Sequence, residues 1–188
     1  MSNPIIIGID HGYAAMKTAH CSFPTGLVAY THEPYSSDHV LEYDGQFYVI
    51  GSGQQALQKD KTATEDYYLL TLAAIAMELE VRKLPGEAEV ILAAGLPLTS
   101  FGRDKKAFRQ YLLRDSKPID FRYEGCPYRI TIPPGVFRCD LAAGAVGTAF
   151  GNRGGHRRMD SGSDGGGQSG AECSYLPKSG AWCNPVPE

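Results

Sequence analysis

Residues Ile5 to Thr18, reading IIIGIDHGYAAMKT, constrain this chain more than any other stretch. A β-branched apolar run closes on Asp10, Gly12 marks a tight reversal, and Lys17 stands on the returning segment. Ile5–Asp10 and Ala14–Cys21 therefore read as an antiparallel strand pair, the first strand fully buried as a β-branched run. Gly12 supplies the φ > 0 freedom that a short turn needs. A bare turn lets the backbone N–H groups of Gly12, Tyr13 and Ala14 form a small nest for anionic oxygens. Lys17 adds a point charge to the same phosphate oxygens. Asp10 is placed to hold water on a hydrated Mg²⁺, which takes one or two carboxylates plus phosphate oxygens. A plain amphipathic hairpin with a solvated aspartate and lysine fits the same spacing, and spacing by itself does not separate the two.

Composition narrows the class. Of 188 residues, 43% are hydrophobic and 21% charged, ordinary for a soluble globular protein. A net charge of -3 argues against nucleic-acid binding through a broad basic surface. No uninterrupted apolar run approaches the roughly 18–20 residues of a membrane span. The start, Met1-Ser2-Asn3-Pro4, lacks the basic region of a secretory signal. The five cysteines, Cys21, Cys126, Cys139, Cys173 and Cys183, are odd in number, scattered, and form no CxxC pair. Structural zinc or a disulfide scaffold is not expected; reduced thiols in a cytoplasm are.

Strands and helices alternate along the next 120 or so residues, a pattern of mixed-sheet α/β folds. Val28–Thr31 reads as a short strand. Val40–Tyr43 and Gln46–Ile50 flank Asp44-Gly45, a favoured two-residue hairpin turn. Gly51-Ser52-Gly53 opens a short helix through Ala56 and Leu57. Glu65 to Arg82 is the strongest helix, with Thr64 as N-cap, Leu69, Leu72, Ala73, Ala76 and Leu79 as its core stripe, and Pro85-Gly86 as its stop. Val90–Ala94 reads as a buried strand running into a Gly95-Leu96-Pro97 turn. The helix from Arg103 to Leu113 turns Phe108, Tyr111 and Leu112 inward and Arg103, Lys105, Lys106, Arg109 and Arg114 to solvent. Ile119–Tyr123 and Tyr128–Ile132 pair around Glu124-Gly125 as a last hairpin.

Gly8-Ile9-Asp10-His11-Gly12-Tyr13, followed by Met16-Lys17-Thr18, resembles the first phosphate motif of the actin/Hsp70/sugar-kinase superfamily. In detail it is similar to the ParM-type bacterial actins, plasmid-segregation ATPases, in the branch common in Gram-positive bacteria. A second segment, VILAAGLPL from Val90 with Phe101-Gly102, Lys106, Phe108 and Tyr111-Leu112, resembles the strand, Gly-Leu-Pro turn and helix of the same N-terminal domain. The resemblance runs from about Pro4 to about Ile132 and implies an N-terminal half of the ribonuclease H-like actin fold, a mixed sheet with flanking helices. For the intact relative it implies Mg²⁺ with ATP (or GTP), phosphoryl transfer to water, self-association into filaments, and a DNA-binding adaptor protein, with no direct contact to nucleic acid or membrane. It makes Asp10 the ligand of Mg²⁺ through water, Gly12, Tyr13 and Ala14 the backbone cradle, and Lys17 the phosphate contact. His11 is read as conformational, and no residue is assigned as catalytic. Two other readings share the first hairpin: a fragment of a sugar- or acetate-type kinase, and a non-catalytic actin-like protein that caps filaments.

Near Pro133-Pro134 the pattern stops, which divides the chain into an actin-like domain over 1–135 and a tail over 136–188. The tail is rich in Gly, Ser and Pro and lacks apolar periodicity, which describes either a disordered segment or an out-of-frame translation. Codons favour the second. Met159-Asp160 is ATG-GAY, so reading one base later forces tryptophan, and Trp182-Cys183 in the same way forces glycine. The flanking codons permit DIGGWTVDLM from Gly155 onward, which resembles the second phosphate motif of ParM-like actins, and further along TCRSLELGVI, which resembles the helix that follows. As written, the chain supplies only the first phosphate motif, and catalysis of this kind rests on positioning by both. The expectation is a poor ATPase or none. Asp140 is the nearest acid to the place where the family orients its attacking water, and it is not assigned that role.

Overall fold

A computed structural model of the chain describes residues 4–53, 60–96, 101–114 and 117–133, together with the backbone of 138–141. Its strands are β1 (Ile5–His11), β2 (Ala15–Lys17), β3 (Ser22–Pro24), β4 (Leu27–Tyr30), β5 (Val40–Tyr43) and β6 (Gln46–Ile50). Helix α1 (Asp66–Val81), β7 (Glu87–Leu96), helix α2 (Phe101–Leu113), β8 (Ile119–Tyr123), β9 (Cys126–Thr131) and β10 (Arg138–Leu141) follow. The strands join in one mixed sheet ordered β3-β2-β1-β7-β9-β8-β5-β6-β4, with β10 also paired to β7. Pairing of β1 with β2 is antiparallel, whereas β1 and β10 both run parallel to β7. The expected mixed α/β sheet with flanking helices is the fold observed.

The long strand β7 organises everything else. Its first residues pair with β9 at Glu87↔Arg129, and Val90 to Gly95 pair with Ile5 to Asp10 of β1. Two sub-sheets thus share one strand, and the end of β1 is fixed by neighbours on both sides. The Asp44-Gly45 and Glu124-Gly125 hairpins form as expected, all four residues in the left-handed region that such turns require. β10 lies beyond residue 135, pairing Arg138–Leu141 with Ala93–Leu96.

Several local expectations are corrected. β1 is not buried throughout: Ile7, Ile9 and His11 face the core while Ile6 is 41% exposed, because one face of β1 packs on α1 and the other is open. Helix α1 carries the expected core residues, yet every residue from Tyr67 to Leu79 is buried. That is the mark of a helix enclosed on all sides rather than a surface amphipathic one. Its N-cap is Glu65, not Thr64; Glu65 makes no side-chain cap bond, and Thr64 Oγ1 accepts from the Asp66 N–H only at 3.5 Å. The shorter bonds come from the Tyr111 hydroxyl on α2, which accepts from the Tyr68 N–H at 2.7 Å and donates to the Thr64 carbonyl at 2.8 Å. A tertiary contact thus carries most of the capping.

The helix also stops before Pro85-Gly86. Lys83 takes φ 53°, its N–H donates to Glu80 O, and Leu84 N–H donates to Leu79 O, both at 2.9 Å. These two bonds make a Schellman motif with lysine where glycine is usual. Reduced thiols are not found throughout either, since Cys126 is disulfide-bonded. Sequence spacing detects pairs that are neighbours in the chain, not those that folding brings together. The proposed helix through Ala56 and Leu57, the Pro97 end of the Gly-Leu-Pro turn, and the tail from residue 142 lie outside the described residues.

Candidate functional site

The site grows from the end of β1. In the β1–β2 ladder Asp10 is the direct partner of Lys17, and His11 that of Met16. Directly opposed residues project to the same face, so the Asp10 and Lys17 side chains share the face away from Ile9 and His11. On the other flank Asp10 is level with Gly95, which has no side chain to crowd it. Asp10 is half-buried, while Lys17, Tyr13 and Ala14 are exposed. All five residues named from sequence therefore come together at one reversal.

Gly12 is required for a reason other than the expected one. It does not adopt positive φ. Instead, a Cβ on Gly12 would lie 2.3 Å from the Ala15 carbonyl oxygen, so the two arms of the turn approach too closely for any side chain. Three carbonyls at the turn are taken up by protein donors. His11 O accepts from Lys61 Nζ. Gly12 O accepts from Thr25 Oγ1 at 2.9 Å and from the Tyr67 hydroxyl at 3.4 Å, and Ala14 O accepts from Thr25 N–H at 3.0 Å. With these three oxygens paired, fewer carbonyl lone pairs are left to repel an anion that approaches the N–H groups of the turn.

His11 is a structural residue. It is 1% exposed, meets Phe108 edge to face at 5.0 Å, and its Nε2 lies 2.9 Å from Thr71 Oγ1. The Thr71 hydroxyl donates to Tyr67 O at 2.6 Å, so His11 Nε2–H donates to Thr71 and Nδ1 carries the lone pair, unpaired in the core. Burial, with the Lys61 charge adding to it, lowers the imidazole pKa to about 3. The ring is neutral at any physiological pH and takes no part in proton transfer there.

Lys61 is the residue that sequence reading misses. It lies between Gly53 and α1, in a segment with no apolar period to mark it. The residue is 7% exposed, its ammonium 4.6 Å from the Tyr13 ring centre and 4.9 Å from that of Tyr67. Desolvation lowers its pKa to about 8, against the opposing pull of the Asp10 carboxylate. With Tyr13, Asp60, Thr62, Leu96, Asp104 and Phe108 it lines a small cleft beside the turn. Among the described residues no group of three or more His, Cys, Asp and Glu side chains converges on a metal position. Asp10 thus offers a single carboxylate, a donor suited to an ion such as Mg²⁺ that keeps most of its own water.

Comparison with known proteins gives the chain's family. The family described as "Actin like proteins N terminal domain" matches residues 8–136. An apo pSK41 ParM protein is similar at TM-score 0.56 and 17% identity, over 74% of this chain and 50% of that one. A 15-stranded ParM filament from Clostridium botulinum gives TM-score 0.57 and 18% identity over 74% and 48%. An AlfA filament bound to AMPPNP gives 0.54 and 19% over 74% and 54%. At these identities the likeness is one of fold, and the chain spans about half the length of the solved structures it matches. No curated protein matches it. The family match covers well over half of the sequence, and the chain belongs to the actin-like proteins, as their N-terminal domain.

Proposed function

We propose that this chain is the nucleotide-binding N-terminal half of an actin-like ATPase whose filaments segregate plasmid DNA in the cytoplasm. One observation carries the reading: Asp10 and Lys17 are opposed across a reversal that Gly12 keeps tight, in which the carbonyls of His11, Gly12 and Ala14 are paired with protein donors. The N–H groups of Gly12, Tyr13 and Ala14 hold the phosphates of ATP or GTP, Lys17 adds its charge, and Asp10 orients water on Mg²⁺. The ion, when bound, neutralises charge on the phosphates. The chain's own part is to bind and orient, which is most of what phosphoryl transfer asks of a protein. Copies of the chain and a DNA-binding adaptor are its partners.

The second phosphate motif is encoded one base out of register, so the 188-residue product is inactive as an ATPase. The pairing of β10 with β7 supports a frame that is intact through Leu141. The DNA tests this: the Gly155 codon ends in A, the His156 codon in T, and the shifted frame stays open well past Glu188. Any other base at the third position of Gly155, or a prompt stop, refutes it. In the frame-restored protein, Mg²⁺-ATP drives pelletable filaments, and Asp10→Ala abolishes hydrolysis while leaving the fold intact. Wild-type turnover in that variant removes Asp10 from the site, and phosphotransfer to a sugar in place of water makes the protein a kinase.

A further inference from the structure

We propose that Lys61 is a second cationic contact for the nucleotide's phosphates, delivered to the hairpin from the segment before α1. The inference rests on the phosphate reading of the Asp10–Lys17 hairpin and adds to it a residue from outside that motif.

Four features of the structure converge on it. Lys61 Nζ donates to the carbonyl of His11, the residue immediately before the Gly12-Tyr13-Ala14 turn. Its charge is therefore anchored at the base of the cradle. The residue is more than nine-tenths buried, yet among the described residues this is the hydrogen bond its ammonium makes, and an ammonium has three N–H donors. The remaining contacts are the faces of Tyr13 and Tyr67, which stabilise the charge without accepting those N–H groups in the plane of a lone pair. Tyr13 is itself an exposed turn residue, and it lines with Lys61 the small cleft beside the turn. A buried cation with unused donors is costly unless something completes its shell. A phosphate oxygen held by the turn's N–H groups does so.

The acidic residues nearby do not supply that shell. Asp104 is paired with Arg103 at 2.7 Å, and Asp60 accepts from Thr62 N–H and Oγ1 at 2.9 and 2.7 Å. Asp10 interacts with the ammonium through space without an ion pair. The cation's attraction is thus still available to an incoming anion. Lysine acts here as a point charge on a flexible stem, able to reach a phosphate while the His11 bond is kept.

The test is titration of the 188-residue chain with Mg²⁺-ATP by calorimetry, in the wild type, Lys61→Met and Lys61→Arg. Removing one charge-assisted contact weakens binding by about 10- to 100-fold in Lys61→Met, and Lys61→Arg recovers most of it. Unchanged affinity in a folded Lys61→Met overturns the assignment and leaves the hairpin reading standing. Absence of binding in the wild type overturns both. Should Lys61→Met fail to fold, the side-chain ¹⁵Nζ resonance of Lys61 in the wild type decides: it shifts and sharpens on addition of Mg²⁺-ATP, and a resonance that stays in place overturns the proposal.

Discussion

His11 makes folding of this domain acid-sensitive, and the size of the effect follows from its surroundings. In the folded state the imidazole pKa is lowered to about 3, first by burial and then by Lys61. In the unfolded chain it returns to about 6.5. Because the unfolded state binds the proton more readily, stability is full above pH 6.5 and falls as pH drops toward 3. Each unit of that window costs about 1.4 kcal/mol, so the His11 contribution at pH 5 is a loss of about 2 kcal/mol relative to pH 8. Urea unfolding at both pH values measures it. Carboxylates also titrate in this range, so the relevant quantity is a difference between two proteins. His11→Leu retains an apolar group in the pocket and leaves Thr71 with its bond to Tyr67 O. Wild type therefore loses about 2 kcal/mol more than His11→Leu between pH 8 and pH 5. Equal losses would show that the ring is protonated in the fold or exposed to water, and would refute the buried neutral imidazole.

Three further substitutions probe the frame around the hairpin. Glu78, buried on α1, accepts from Thr18 Oγ1 and His20 Nδ1, each at 2.7 Å, and so pins the β2–β3 turn to the helix. Glu78→Ala lowers stability by about 2 kcal/mol, less than a fully buried pair would lose because His20 is half exposed and rehydrates, and a denaturant midpoint shift checks it. Gly12→Ala places a methyl 2.3 Å from Ala15 O, forces the turn open and costs about 2 kcal/mol or more, with loss of nucleotide binding seen by calorimetry. Lys83→Gly relieves a left-handed lysine in the Schellman motif of α1 and raises stability by about 0.5 kcal/mol, visible as a higher melting temperature.

What sequence revealed here was local, and what it concealed was not. The β1–β2 hairpin, both Xaa-Gly turns and the inward Phe108 and Leu112 follow from spacing, because each depends on residues a few positions apart. The enclosure of α1 was not legible, since its cover comes from both sheet and α2. Nor was its cap, which Tyr111 supplies from 43 residues away. Lys61 was hidden for the same reason: 50 residues separate it from His11, and nothing in Asp60-Lys61-Thr62 announces the contact. Sequence marks Gly12 as required but not why, because a steric approach and a positive φ leave the same residue in a sequence.

The most direct test of the account is a structure of the frame-restored protein with Mg²⁺ and a non-hydrolysable ATP analogue. The account predicts phosphate oxygens within hydrogen-bond reach of the N–H groups of Gly12, Tyr13 and Ala14 and of the Lys17 ammonium. It also predicts Asp10 joined to Mg²⁺ through water. A nucleotide seated elsewhere, with the Asp10–Lys17 hairpin facing only solvent, would contradict it.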